Sequence, residues 1–127
     1  MTQDTRNTPM MIAAGLTALG AAVHIWMGTP EILSPVLASS LDLTVQAVLA
    51  VVWHAISALL IVFALATAWL VTHRNTALGI TLLALNAGFV VLFLAYGVAL
   101  LRSVWPMPQW ILFTAIAAAM TLGLRRV

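Results

Sequence analysis

The sequence predicts an all-α integral membrane protein: a bundle of four transmembrane helices with a short interfacial segment between helices 1 and 2. Two observations carry this. Of 127 residues, 64% are hydrophobic and 6% charged, against about 45–50% and about 25% in a soluble domain. The apolar residues also gather into four stretches, at residues 9–27, 43–72, 76–101 and 107–124, at or near the roughly 20 residues that cross a bilayer. Lipid offers backbone amides no partner, so long runs without polar alternation are helices. The chain reads as one domain over residues 1–127. The same balance excludes a soluble fold, a disordered chain and a nucleic-acid binder, because the only cations besides histidine are five scattered arginines.

The first stretch opens at Pro9, a residue suited to a first helical turn. A cleaved signal peptide ending near Gly20-Ala21-Ala22 is the competing reading, but Asp4 offsets Arg6 in its leading region. Thr29-Pro30-Glu31 reads as N-cap, first-turn proline and early acid, which starts a new short helix. Ile32, Leu33, Val36, Leu37 and Leu41 give that segment one broad apolar face, interrupted by Pro35, as in a segment lying at the interface. Ser39 and Asp42 form a capping-box pattern ahead of the second span. Thr72-His73-Arg74-Asn75 turns the chain into the third span, and Arg102 to Pro108, with Pro106 and Pro108, separates the third from the fourth.

Arg6, Arg74, Arg125 and Arg126 fall on one side of this layout; Arg102, Glu31 and Asp42 fall on the other. The positive-inside rule then puts both termini in the cytoplasm. Trp26, Trp53, Trp105 and Trp110 collect at the outer interface and Trp69 at the inner one, as an aromatic belt.

Polar side chains within spans are costly, and each is a candidate site. By helical rise, His24, His54 and Tyr96 lie about 22, 30 and 33 Å above the cytoplasmic side, and Asn86 about 18 Å. Small residues share their stripes: Ala13, Thr17 and Gly20 with His24; Ala47, Ala50, Ser57, Ala58 and Ile61 with His54; Gly79 and Gly97 with Asn86. Close helix packing on such stripes points His24, His54 and Asn86 into the bundle. Glu31 reaches the same outer region. The expected site is therefore an outer-facing pocket of His24, Glu31, Trp53, His54 and Tyr96, with Asn86 and Ser57 as buried polar groups. Three chemistries stay open. A neutral histidine beside a tyrosine hydrogen-bonds a quinone or another lipophilic carbonyl compound. His24, His54 and Glu31 ligate a divalent metal. His24 and His54 ligate a haem iron axially. A fourth reading has no ligand: histidines and Asn86 simply bond helix to helix. His73 sits on a solvated turn.

Other chemistries are excluded. There is no cysteine, hence no disulfide or thiolate metal site. No glycine-rich phosphate loop and no Ser-His-Asp arrangement is present. The four-span layout looks like the small multidrug-resistance transporters, but these depend on a glutamate inside the first span, and none lies between Pro9 and Met27.

The segments Ala22-Val23-His24-Ile25-Trp26-Met27-Gly28-Thr29-Pro30-Glu31-Ile32 and Val52-Trp53-His54-Ala55-Ile56-Ser57 resemble an uncharacterised group of small four-span bacterial inner-membrane proteins. Those pair a histidine ending span one, a following Gly…Glu, and a Trp-His in span two. Span count adds a looser resemblance to DoxX-like membrane proteins. The resemblance implies inner-membrane residence and directs attention to His24, Glu31, Trp53 and His54 together; it implies no activity. The resulting expectation is a small inner-membrane protein that binds a lipophilic ligand or a partner at an outer-leaflet polar pocket. The alternatives are a haem or metal redox protein and a structural subunit of a membrane complex. The bilayer is its first partner, with self-association allowed by the small-residue stripes and no role for nucleic acid.

Overall fold

A computed structural model describes residues 7–125, and among them there are helices and turns but no strand. The helices are α1 (Thr8–Leu37), α2 (Leu43–Trp69), α3 (Thr76–Leu101) and α4 (Gln109–Leu124). The first three are long and apolar enough to cross a membrane. At 16 residues, α4 spans about 24 Å, short of a roughly 30 Å hydrocarbon layer.

Local chemistry sets the helix ends. Asn7 caps α1, its Oδ1 accepting from the Met10 amide at 3.2 Å, while its Nδ2 donates to the Gly123 carbonyl at 2.9 Å. One side chain thus starts α1 and ties it to the end of α4. Asp42, not Ser39, caps α2, with Oδ1 accepting from the Thr44 amide at 2.8 Å. The Ser39 hydroxyl instead donates to the Val36 carbonyl at 2.6 Å. Buried Gln46 closes this connection, its Nε2 donating to the carbonyls of Ser39 and Leu41. Asn75 caps α3 through the Leu78 amide, and α3 ends on Arg102 in the left-handed conformation.

The expected break at Thr29-Pro30-Glu31 does not occur. α1 runs on to Leu37, and no separate helix begins between it and α2. The chain remains helical by widening: His24–Leu33 is a ten-residue π-helix, whose register closes where the Ser34 amide donates to the Thr29 carbonyl. In an α-helix the ring of Pro30 would collide with the carbonyl four residues back. A π-turn pairs residues five apart and moves that carbonyl away.

Consecutive helices are neighbours around a ring. α1 packs along α2 and α4, and α4 packs along α3; of these neighbouring pairs, α2 and α3 approach one another least. The core of Met10, Ala13, Leu60, Phe63, Leu82, Phe113, Ile116 and Met120 fills the half of the ring that holds both connections Asn7–Gly123 and Gly79–Leu124. A Cβ on Gly79 would strike the Leu124 side chain, so glycine sets the close approach of α3 and α4 there.

The other half is open. On α2 the core-facing stripe descends Val45, Leu49, Val52, Ile56, Leu60, Phe63, spaced three or four residues apart as one face of a helix is. Leu60 and Phe63 are buried, yet Val45, Leu49 and Val52 are 45%, 39% and 51% exposed. On α3 the matching stripe ascends Leu82, Leu85, Phe89, Phe93, Tyr96, Leu100; burial is lost at Tyr96 and Leu100, 57% and 72% exposed. Phe89 and Phe93 stack on Phe113, one turn from the start of α4. Beyond that level α4 supplies no cover, and α2 and α3 face an apolar slot.

Candidate functional site

Of the sequence-predicted site residues, His24, Trp53 and Ser57 do meet, where α1 passes into the π-helix. His24 and Thr29 lie on one side of this segment, facing Trp53 of α2. The His24 imidazole lies flat against the Trp53 indole, with centroids 4.1 Å apart and planes inclined by 19°. Its Nε2 is 3.3 Å from the Trp53 carbonyl oxygen. A carbonyl only accepts, so the imidazole is the Nε2–H donor in this contact. The Ser57 hydroxyl donates to the same carbonyl at 3.1 Å. The indole Nε1 donates in turn to the Thr29 hydroxyl at 3.3 Å. Gly28 permits this: a Cβ there would come within 2.9 Å of the indole ring. Thr29, read from sequence as a helix cap, is therefore the indole's hydrogen-bond acceptor.

The other expected members are elsewhere. His54 follows Trp53 by one residue, about 100° around α2, and is exposed. It was expected inside the bundle because its stripe is rich in small residues. That stripe, through Ala47, Ala58 and Ile61, faces outward instead, and the large side chains Leu60 and Phe63 fill the core. Glu31 is also exposed, on the outward side of the π-segment. Tyr96 lies on the slot face of α3, not beside His24.

The geometry bears on ligation. One face of the His24 ring is covered by indole and its Nε2 is engaged by a carbonyl, while His54 points away from Trp53. Among the described residues no three His, Cys, Asp or Glu side chains converge on a point that would hold a metal ion. Asn86 is fully buried, and its Nδ2 donates to the Phe113 carbonyl at 2.5 Å, joining α3 to α4; its Oδ1 has no partner. The expected tryptophan belt also divides. Trp26 and Trp105 are exposed, whereas Trp53 packs as described and Trp110 donates its Nε1 to the Val104 carbonyl at 3.2 Å.

Residues missed in sequence are Thr29 as acceptor, Gln46 as loop clasp and the slot faces of α2 and α3. The slot was signalled in sequence by the short fourth stretch beside two longer ones. Fold and site together define a small all-helical protein with three helices of membrane-crossing length. No protein-family model matches this chain, and no curated protein or solved structure matches it.

Proposed function

We propose that this chain is a four-span inner-membrane protein, with both termini cytoplasmic, that binds a lipophilic ligand in the slot between α2 and α3 at the outer leaflet. The observation that carries the reading is the loss of burial on two core-facing stripes at one end of the ring: Val45, Leu49 and Val52 opposite Tyr96 and Leu100. Such a pair of exposed apolar faces, with a single phenol hydroxyl from Tyr96, fits an acyl or isoprenoid chain. The His24–Trp53–Thr29 cluster sits beside it and fixes α1 on α2, so one slot wall is rigid. In this arrangement His24 is a positioning residue rather than a ligand.

Photolabelling tests the slot. The protein is reconstituted in vesicles of a phospholipid carrying a diazirine on its acyl chain, irradiated, and its labelled peptides mapped. The reading expects labelling concentrated on 45–52 and 96–100, and its loss when Leu49→Trp fills the slot. Even labelling of every exposed apolar face, unchanged by Leu49→Trp, would overturn it.

A structural reading has its own support, because His24 and Asn86 both bond across helices. A purely structural subunit gives no preferential labelling of the slot.

A further inference from the structure

The two walls of the slot end in opposite charges. Arg102 closes α3 two residues beyond Leu100, and Asp42 caps α2 three residues before Val45. Both are exposed, and among the described residues neither forms an ion pair. The Asp42 side chain accepts only from the Thr44 amide, through Oδ1, which leaves Oδ2 free. Arg102 is also the only non-glycine residue with positive φ among those described. A long cation thus stands where glycine would sit without strain, a pattern that accompanies functional positions. Depth places both charges at one level. Arg102 lies six residues beyond Tyr96, about 42 Å above the cytoplasmic side, and Asp42 twelve before His54, about 48 Å. The usual helix tilt of about 20° makes these about 39 and 45 Å. A bilayer with its headgroups is about 40–45 Å thick, so the mouth of the slot opens in the outer headgroup layer. Glu31, the third charge at this end, is on the outward side of α1 and stands outside the mouth.

We infer that the slot selects a phospholipid whose head carries both a phosphate and a primary amine, with the phosphate on Arg102 and the ammonium on Asp42. This rests on the slot reading and adds to it the chemistry of the head. A guanidinium fork matches two phosphate oxygens. An ammonium has three hydrogens to donate, and the free Oδ2 of Asp42 accepts one. About 9 Å below Arg102, the Tyr96 hydroxyl is placed to donate to an acyl ester carbonyl. The acyl chain then descends between Leu49 and Val52 on one wall and Tyr96 on the other, toward Phe93. A head that is only anionic gains Arg102 but meets the Asp42 carboxylate, and like charges brought together are costly. An uncharged head gains neither contact.

Competition tests the head. In mixed micelles the diazirine phospholipid labels 45–52 and 96–100, and unlabelled lipids with identical acyl chains compete: phosphatidylethanolamine, phosphatidylglycerol or diacylglycerol. Phosphatidylethanolamine is expected to halve the labelling at about a tenth of the concentration the other two need, the scale of one charge-assisted contact. Two substitutions remove the charges and keep the fold. Glycine adopts the left-handed conformation at 102 freely, and asparagine caps a helix as well as aspartate does. Arg102→Gly is expected to weaken phosphatidylethanolamine about tenfold. Asp42→Asn is expected to bring phosphatidylglycerol level with it. Equal competition by the three lipids, phosphatidylglycerol as the best competitor, or unchanged selectivity in either variant would each overturn the assignment of the head. Leu49→Trp separates the cases. If it abolishes labelling while the lipids compete equally, the slot stands and only the head assignment fails; if labelling is indifferent to it, the slot reading fails and this inference with it.

Discussion

The imidazole of His24 and the indole of Trp53 are joined twice, by a stack at 4.1 Å and by the contact of Nε2 with the Trp53 carbonyl at 3.3 Å. The stack fixes the ring planes and the hydrogen bond fixes their rotation, so the pair sets the register of α1 against α2. It lies where α1 changes to a π-helix, at the point where the backbone alone determines that register least.

Removing either half should therefore loosen α1 from α2. His24→Ala loses a stack worth about 0.5–1.5 kcal/mol and a hydrogen bond of similar size. We expect a net loss of about 1–2 kcal/mol in thermal unfolding in mild detergent. Trp53→Phe keeps an aromatic face but loses the bond to Thr29, about 1 kcal/mol, and part of the indole's packing on Gly28. No measurable loss in His24→Ala would contradict the double link.

Gly28 and Gly15 make a paired test. A Cβ on Gly28 would meet the Trp53 ring at 2.9 Å, whereas nothing lies within 4 Å of one on Gly15. The indole cannot swing aside without giving up His24 or Thr29. Gly28→Ala should lower stability by about 1–3 kcal/mol, the usual range for overpacking, and change the near-ultraviolet dichroism of tryptophan. Gly15→Ala should leave that spectrum unchanged and stabilise by up to about 1 kcal/mol through helix propensity.

Much of this fold is legible in the sequence because apolar length is a strong signal. Thr76–Leu101 emerges with the boundaries its hydropathy dictates, and the turn before it follows from Asn75. The errors have physical causes. Pro30 signals a break in an α-helix, but a π-turn absorbs a proline, and nothing local announces that widening. His54 was placed inward because small residues mark close packing, yet a helix apolar on all sides has little polar contrast to say which small face is inside. The meeting of His24 with Trp53 follows from topology; the choice of Thr29 as the indole's acceptor depends on a π-register that only the three-dimensional structure supplies.

Asn86 tests the balance between a bond made and a bond missing. Its Nδ2 reaches the Phe113 carbonyl, but its buried Oδ1 has no partner. The bond contributes about 0.5–1.5 kcal/mol, while an unsatisfied buried acceptor costs about 1–3 kcal/mol. Asn86→Leu, with the same branched shape, removes both, so stability should hold or rise by about 1 kcal/mol. Asn86→Asp keeps the size but removes the donor, and should destabilise by several kcal/mol. A large loss in Asn86→Leu would mean that Oδ1 has a partner in the working protein.

Arg102 ends α3 at φ 55° and ψ 18°, with its amide donating to the Gly97 carbonyl. It is the only non-glycine residue with positive φ among those described. A Cβ in this conformation costs about 1 kcal/mol, which glycine avoids and asparagine partly avoids. Arg102→Gly should stabilise by up to about 1 kcal/mol, Arg102→Asn by less, and Arg102→Pro should destabilise strongly because its ring fixes φ near −65°. The same variants probe orientation. Arg74 and Arg125 lie at the end of the bundle joined by Asn7 and Gly123, and Arg102 lies at the other. In the proposed orientation Arg102 is the lone arginine on the outer side, and removing it reinforces the charge asymmetry on which that orientation rests. A reporter fused to the C-terminus should therefore stay cytoplasmic in both Arg102→Gly and Arg102→Asn. A reporter that moves outward in either would show that Arg102, rather than the arginines at the opposite end, directs insertion.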